Sequence, residues 1–210
     1  NLATKHNIVL IFDECTSGFR ETFGGIHKKY EVEPDIAMFG KAIGNGYALT
    51  AVLGRREIME SAQSSFISST FWTERIGPAA ALKTLEIMER EKSWKIITKS
   101  GLSIREGIQS LADRHGVAIE SWGLLALTGY TFSSTKSLEY KTLVTQEMLK
   151  KGYLAANSTY VSTTHTPELI EGYLNELDSI FKIIRECEDG RDVKSLLDND
   201  ICHSGFKRLN

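Results

Sequence analysis

Two short blocks hold residues that could do chemistry together. The apolar run Ile8–Phe12 ends in Asp13-Glu14, and a second run, Ile36–Phe39, ends in Gly40-Lys41. An acid and a lysine thus follow two strand-like runs, 28 residues apart. Open α/β sheets bind ligands outside the carboxyl ends of their strands, so Asp13 and Lys41 could face one ligand. A lysine amine at such a place can attack a carbonyl and form a Schiff base. A carboxylate drawn out of water needs a cationic partner, and a protonated pyridine nitrogen would supply one. Pyridoxal phosphate uses both groups, the lysine for its aldehyde and the acid for its ring nitrogen. On spacing alone the plainer reading comes first, a surface lysine and a strand-end acid.

Other chemistries fail on the residues. Gly40-Lys41 is no phosphate-binding P-loop, because position 35 is Asp and Ala42 stands where Ser or Thr is needed. Gly44-Asn45-Gly46 is no dinucleotide fingerprint, since the third glycine would fall at Leu49. Gly40 and Gly44 bracket Ala42, so there is no nucleophilic serine elbow. Asp13 and Glu14 are neighbours, so on a strand they point to opposite faces and cannot act as a carboxylate pair. The five histidines are scattered and the three cysteines (Cys15, Cys187, Cys202) widely spaced, so no metal site is expected.

The elements that would position these residues follow from periodicity. Residues 7–12 read as a buried parallel strand with acids at its end. Residues 15–34 read as a loop with a short helix, and Ile36–Phe39 and Ala48–Leu53 as further strands. From Ile76 to about Glu91, Ala80, Leu82, Leu85 and Met88 recur at helical spacing, with Pro78 early. Residues 95–115 give a second amphipathic helix, and 117–132 two short strands. Ser137–Lys151 is a helix closed by Gly152. Tyr153–Ala156 and Ser158–Thr163 read as strands. Thr166-Pro167-Glu168 opens a helix with Leu169, Ile170, Tyr173, Leu174, Leu177, Ile180, Phe181 and Ile184 on one face. The fold class expected is α/β. Residues 1–92 would be part of an α/β layer with a joining helix, 93–190 a smaller α+β unit, and 191–210 a polar, loosely attached tail. The first unit reads as incomplete, because a parallel strand so near Asn1 lacks cover.

Composition limits the partners. In 210 residues, 25 Lys+Arg against 27 Asp+Glu leave a formal charge of −2, which makes no electrostatic case for nucleic acid or a membrane surface. No run approaches the about 18 apolar residues of a membrane helix. No secretion signal is visible and the cysteine pattern is no disulfide framework, so a cytoplasmic setting is expected.

The run Ile11-Phe12-Asp13-Glu14-Cys15-Thr16-Ser17-Gly18-Phe19-Arg20, followed by Pro34-Asp35-Ile36-Ala37-Met38-Phe39-Gly40-Lys41-Ala42-Ile43-Gly44-Asn45-Gly46, resembles the class III pyridoxal-phosphate aminotransferases. Thr70–Pro78 resembles the family's threonine segment before a long helix. Gly152–Ala156 and Tyr160–Thr166 resemble the glutamate-1-semialdehyde aminomutase subgroup. The likeness runs from residue 7 to about 185. It implies a fold-type I enzyme with pyridoxal 5'-phosphate. Lys41 would be the Schiff-base lysine and proton shuttle, and Asp13 the partner of the ring nitrogen. Cys15 would pack on the ring where the family usually has an aliphatic residue, and Thr73 would contact the cofactor phosphate, generally from the partner subunit of a homodimer. Arg20 reads either as a substrate-carboxylate ligand or as a solvated loop residue. Trp72 lines the pocket or packs, and His165 is structural.

The family is about twice this length, and its phosphate-binding turn and ring-stacking aromatic would lie before residue 7. The chain therefore reads as a C-terminal half, inactive alone. Its expected reaction in the full-length enzyme is transfer of an amino group from a small-molecule donor to a keto acid or aldehyde. The alternatives are an aminomutase, which returns the nitrogen to a neighbouring carbon, and a non-catalytic interaction or dimerisation module.

Overall fold

A computed structural model of the protein describes residues 2–205. Asn1 and the last five residues of the expected tail lie outside the described residues. The chain divides into two compact units, Asn1–Ile96 and Ile97–Asn210.

In the first unit, α1 (Leu2–Lys5) precedes β1 (Ile11–Glu14), β2 (Ile36–Phe39) and β3 (Ala51–Gly54). These strands form one sheet in the order β1-β2-β3, with β1 parallel and β3 antiparallel to β2. Two short 3₁₀ turns, Ile26–Tyr30 and Lys41–Ile43, follow β1 and β2, and α2 (Arg56–Met59) follows β3. β1 and β2 each open on Ile and carry a Phe, residues that favour strands. β1 nevertheless departs from expectation. It is shorter, it includes the two acids, and it is not buried: Ile11 is 52 % exposed. Among the described residues β1 is a sheet edge, and a parallel strand normally has cover on both faces. The buried core of this unit is correspondingly small, formed by Ala37, Phe39, Ile43 and Ala81.

α3 (Ile76–Glu91) has the expected bounds but a shifted inner face. Gly77, Ala81 and Met88 are buried, whereas Leu82 is exposed. Gly77 lies on that inner face. A Cβ there would lie 2.5 Å from the Ala48 carbonyl oxygen, so the helix backbone meets the strand approach at that turn.

The second unit begins within α4 (Ser93–His115). It continues with β4 (Ile119–Trp122), β5 (Leu127–Phe132), α5 (Ser137–Lys150), β6 (Ser158–Tyr160) and α6 (Pro167–Glu188). The sheet β4-β5-β6 is antiparallel throughout. Phe132, Tyr140, Leu143, Met148, Leu177 and Phe181 fill a continuous core. Thr166 caps α6 by accepting from Leu169 N, with Pro167 in the first turn. Leu169 faces outward, unlike its expected place on the apolar stripe.

Two expectations change here. Tyr153–Ala156 is not a strand. Gly152 (φ 86°) ends α5 in a turn where Tyr153 N donates to Met148 O and Gly152 N to Leu149 O. The chain regains the sheet only at Asn157, whose carbonyl accepts from Tyr130 N. Residues 191–202 are not loosely attached either. Val193 is buried, Gln146 bonds Leu196 O and Asp198 N, and Cys202 N donates to Thr142 Oγ1. Val193, Leu196 and Leu197 give this otherwise polar stretch apolar anchors.

No helix among the described residues is long and apolar enough to cross a membrane.

Candidate active site

The site begins with the register of the parallel pair. Asp13 lies opposite Met38 and Glu14 opposite Phe39, so β1 and β2 end side by side. Cys15-Thr16 and Gly40-Lys41 then leave the sheet together. A Cβ added to Gly40 would sit 3.6 Å from the Cys15 sulfur. Lys41 follows in the left-handed region (φ 47°), which few residues with a side chain adopt. From there its Nζ donates to Thr16 Oγ1.

Asp13 is exposed at the end of β1, and its Oδ1 accepts from Cys15 N at 3.0 Å. That amide, the Cys15 thiol and the charge of Lys41 hold the Asp13 carboxyl below its ordinary range. The same hydrogen bond to Asp13 pushes the Cys15 thiol up, so the sulfur stays protonated beside a carboxylate. Strand alternation ends at Glu14 and Cys15 opens a turn, yet its thiol still reaches Asp13. The structure thus brings Asp13, Cys15 and Lys41 together.

Glu14 points the other way and is 1 % exposed. Its Oε1 accepts from His27 N at 3.0 Å and meets His27 Nδ1 at 2.8 Å. Its Oε2 accepts from Ile26 N and from Ser17 Oγ. An ionised carboxylate can only accept, so His27 Nδ1 carries the proton in this contact. Gly25 leaves room for the pair, because a Cβ there would lie 2.2 Å from His27 Nδ1. Glu14 is therefore the anchor of the loop that presents Asp13 and Thr16. Arg20 serves the same loop, with Nε donating to Thr16 O at 2.8 Å.

Burial pushes the Glu14 carboxyl up, but the amides of His27 and Ile26 and the two side-chain donors together bring it below its ordinary 4.5. A carboxyl depressed on folding stabilises the fold fully above its unfolded pKa, and the contribution fades as pH falls through the folded value. Glu14→Gln is expected to lower stability by about 3 kcal/mol at neutral pH, because an amide cannot accept all four bonds. The gap from wild type should narrow below about pH 4.5. Thermal unfolding of both proteins across that range checks this.

Thr73 is not brought to this cluster. It is exposed, and no hydrogen bond among the described residues joins it to Asp13 or Lys41. It does not cap α3 either. Glu74 does so, accepting from Ile76 N and from Gly77 N. His165 is structural, with Nδ1 accepting from Ser162 N at 3.0 Å.

Thr16 and the Glu14–His27 pair went unnoticed in the sequence. Thr16 could have been found from its place, three residues beyond the strand-end acid. The partner of Glu14 lies 13 residues on, across an irregular loop that no periodicity describes.

The pyridoxal-phosphate requirement can be tested against this geometry. An anionic acid, a lysine bent back toward it and a small thiol packed near a glycine fit the ring and aldehyde side of that cofactor. No phosphate cradle completes them among the residues gathered here.

Comparison with known proteins agrees. The family model for class-III aminotransferases matches residues 1–184. The chain is 33% identical over 189 residues to the 3-aminobutyryl-CoA aminotransferase of Cloacimonas acidaminovorans, covering 84% of this chain and 46% of that protein. It is 31% identical over 198 residues to the glutamate-1-semialdehyde 2,1-aminomutase of Neisseria meningitidis, covering 86% and 46%. It spans about half the length of these curated relatives. Its fold is that of the FumI protein of Sphingopyxis sp. MTA144, solved in a pyridoxal-phosphate internal aldimine form (TM-score 0.83, 22% identity, 93% of this chain and 48% of that one). It is likewise that of an omega-transaminase from Sphaerobacter thermophilus (TM-score 0.76, 20% identity, 86% and 45%). With a parallel strand pair that ends in an acid and a lysine, and with a family match over most of its length, the chain belongs to the class-III aminotransferases.

Proposed function

We propose that this chain is the C-terminal half of a pyridoxal-phosphate-dependent aminotransferase, which moves an amino group from a small-molecule donor to a keto acid or aldehyde. The observation that carries the reading is the convergence of Asp13 and Lys41 at the adjacent ends of β1 and β2. Lys41 would hold the cofactor through its aldehyde carbon, and Asp13 would hold the ring nitrogen. Cys15, packed against Gly40, would lie under the ring. When bound, the cofactor supplies an electron sink that makes the substrate Cα–H acidic. Asp13 contributes a carboxylate that its neighbours keep ionised. Lys41 contributes an amine that can take the proton from the substrate carbon and return it.

Two further features support an incomplete half. The outer edge of β1 and the exposed Ile8, Val9 and Ile11 offer a place for further sheet and cover. Phe66, Phe71 and Trp72 are exposed around Thr73. An apolar stretch of this kind suits a homodimer interface, across which Thr73 would reach the partner's cofactor phosphate. All three cysteines are free, which suits a reducing cytoplasm.

The aminomutase reading rests on the similarity to glutamate-1-semialdehyde aminomutases. A half-reaction separates the two. Full-length protein loaded with cofactor and given an amino donor alone should release a free keto product in stoichiometric amount. Release of only an isomerised amine would favour the mutase. The isolated 210-residue chain should turn over neither substrate, and robust transfer by it would sink the half-enzyme reading.

A further inference from the structure

Lys41 leaves the strand end next to that of Asp13, and its amine bonds a neutral acceptor. Asp13 and Gly40-Lys41 stand at the adjacent ends of β1 and β2, and the charge of Lys41 helps to lower the Asp13 carboxyl. Yet no ion pair within 4.0 Å joins them among the described residues, and the Lys41 amine bonds the Thr16 hydroxyl instead. A lysine locked onto Asp13 would occupy both groups that the proposed function needs free. The backbone sets this preference from both sides. Lys41 sits in the left-handed region, which turns its stem back over the end of β1. Thr16 sits in a turn held by main-chain contacts: Gly18 N donates to Glu14 O at 2.8 Å, and Arg20 Nε donates to Thr16 O at 2.8 Å. One Asp13 oxygen, Oδ1, already accepts from Cys15 N.

We infer that Thr16 is a positioning residue that holds the Lys41 amine off Asp13, so that lysine and acid both remain available to the cofactor. This rests on the proposed roles of Lys41 and Asp13. Thr16 touches neither substrate nor reacting carbonyl in this role; it acts through Lys41. The hydroxyl suits the task because it accepts a hydrogen bond without a charge, and so competes with the ion pair without replacing it. An ion pair at such an exposed site is weak, which lets one hydroxyl tip the balance.

The experiment follows cofactor capture by the full-length protein. Cofactor-stripped protein is mixed with pyridoxal phosphate, quenched with borohydride at timed intervals, and the Lys41 peptide is weighed. In the captured step the lysine nitrogen forms a C=N bond to the aldehyde carbon and water leaves; borohydride then fixes the bond by reducing it. Thr16→Val keeps the volume and the main-chain contacts but removes the hydroxyl. Capture by this variant is expected to slow about fivefold, the scale of an exposed ion pair that must first open. Thr16→Ser should restore the wild-type rate. The decisive arm is Asp13→Asn. With the competing charge gone, adding Thr16→Val to it should leave the rate of the Asn variant unchanged.

A Thr16→Val protein as fast as wild type would overturn the inference. So would a loss of the same size in the Asn background, which would mark Thr16 as merely structural. Thr16→Ala repeats the comparison should valine disturb the turn. If wild type itself captures no cofactor on Lys41, the proposed function fails rather than this inference.

Discussion

Lys41→Ala in the full-length protein is expected to abolish covalent capture of pyridoxal phosphate and to lower amino transfer by at least about a thousandfold. Two losses combine in that figure. The alanine cannot attach the cofactor aldehyde, and it cannot carry the proton between the substrate carbon and the cofactor. The fold should survive, because the Lys41 side chain is exposed and among the described residues its amine bonds only Thr16. Replacing a left-handed lysine with alanine leaves the backbone demand as it was. The check is paired. Absorbance of the protein-bound cofactor is compared before and after substitution, and thermal unfolding is measured on the same samples. A band that persists in Lys41→Ala would refute the assignment of the lysine.

The strand ends were legible in the sequence because two local signals coincide there. Apolar β-formers stop abruptly at Asp13 and at Gly40, and the stops mark where the sheet ends. The helices at 76–91, 137–150 and 167–188 were equally legible, since capping and helical spacing are local. What failed was tertiary. Leu82 carries the right spacing but points outward, while α3 turns Gly77 inward against the Ala48 carbonyl. Tyr153–Ala156 has strand-forming residues, yet the turn at Gly152 keeps it out of the sheet. Residues 191–202 are polar overall, and their docking depends on three apolar anchors spaced irregularly. At the site, Asp13 and Lys41 were readable as types at strand ends. The Lys41–Thr16 bond was not, because it depends on a backbone angle that no residue pattern announces.

Asp13→Asn separates the chemistry of this site from its architecture. Asparagine keeps the shape of the side chain, and its oxygen can still accept from Cys15 N, as Asp13 Oδ1 does. What it loses is the negative charge that the Cys15 donors and Lys41 maintain. A neutral amide cannot hold a protonated ring nitrogen, so the electron sink weakens where charge develops. Amino transfer is expected to fall by about 10²–10³-fold, the scale for removing one preorganised electrostatic partner from a reacting centre. Cofactor capture on Lys41 should persist, since the bond to the aldehyde forms at Lys41 and not at Asp13. Thermal stability should stay near wild type, because Asp13 is exposed. Its neighbour Glu14 behaves in the opposite sense. Buried and bonded to His27, Ile26 and Ser17, it holds the loop and faces away from the cofactor side. Two adjacent carboxylates on one strand would thus divide the work by parity: the exposed one for the proposed reaction, the buried one for the fold. Measuring turnover and unfolding for Asp13→Asn and Glu14→Gln side by side tests that division. A large stability loss in Asp13→Asn, or unchanged turnover, would show that Asp13 belongs to the scaffold instead.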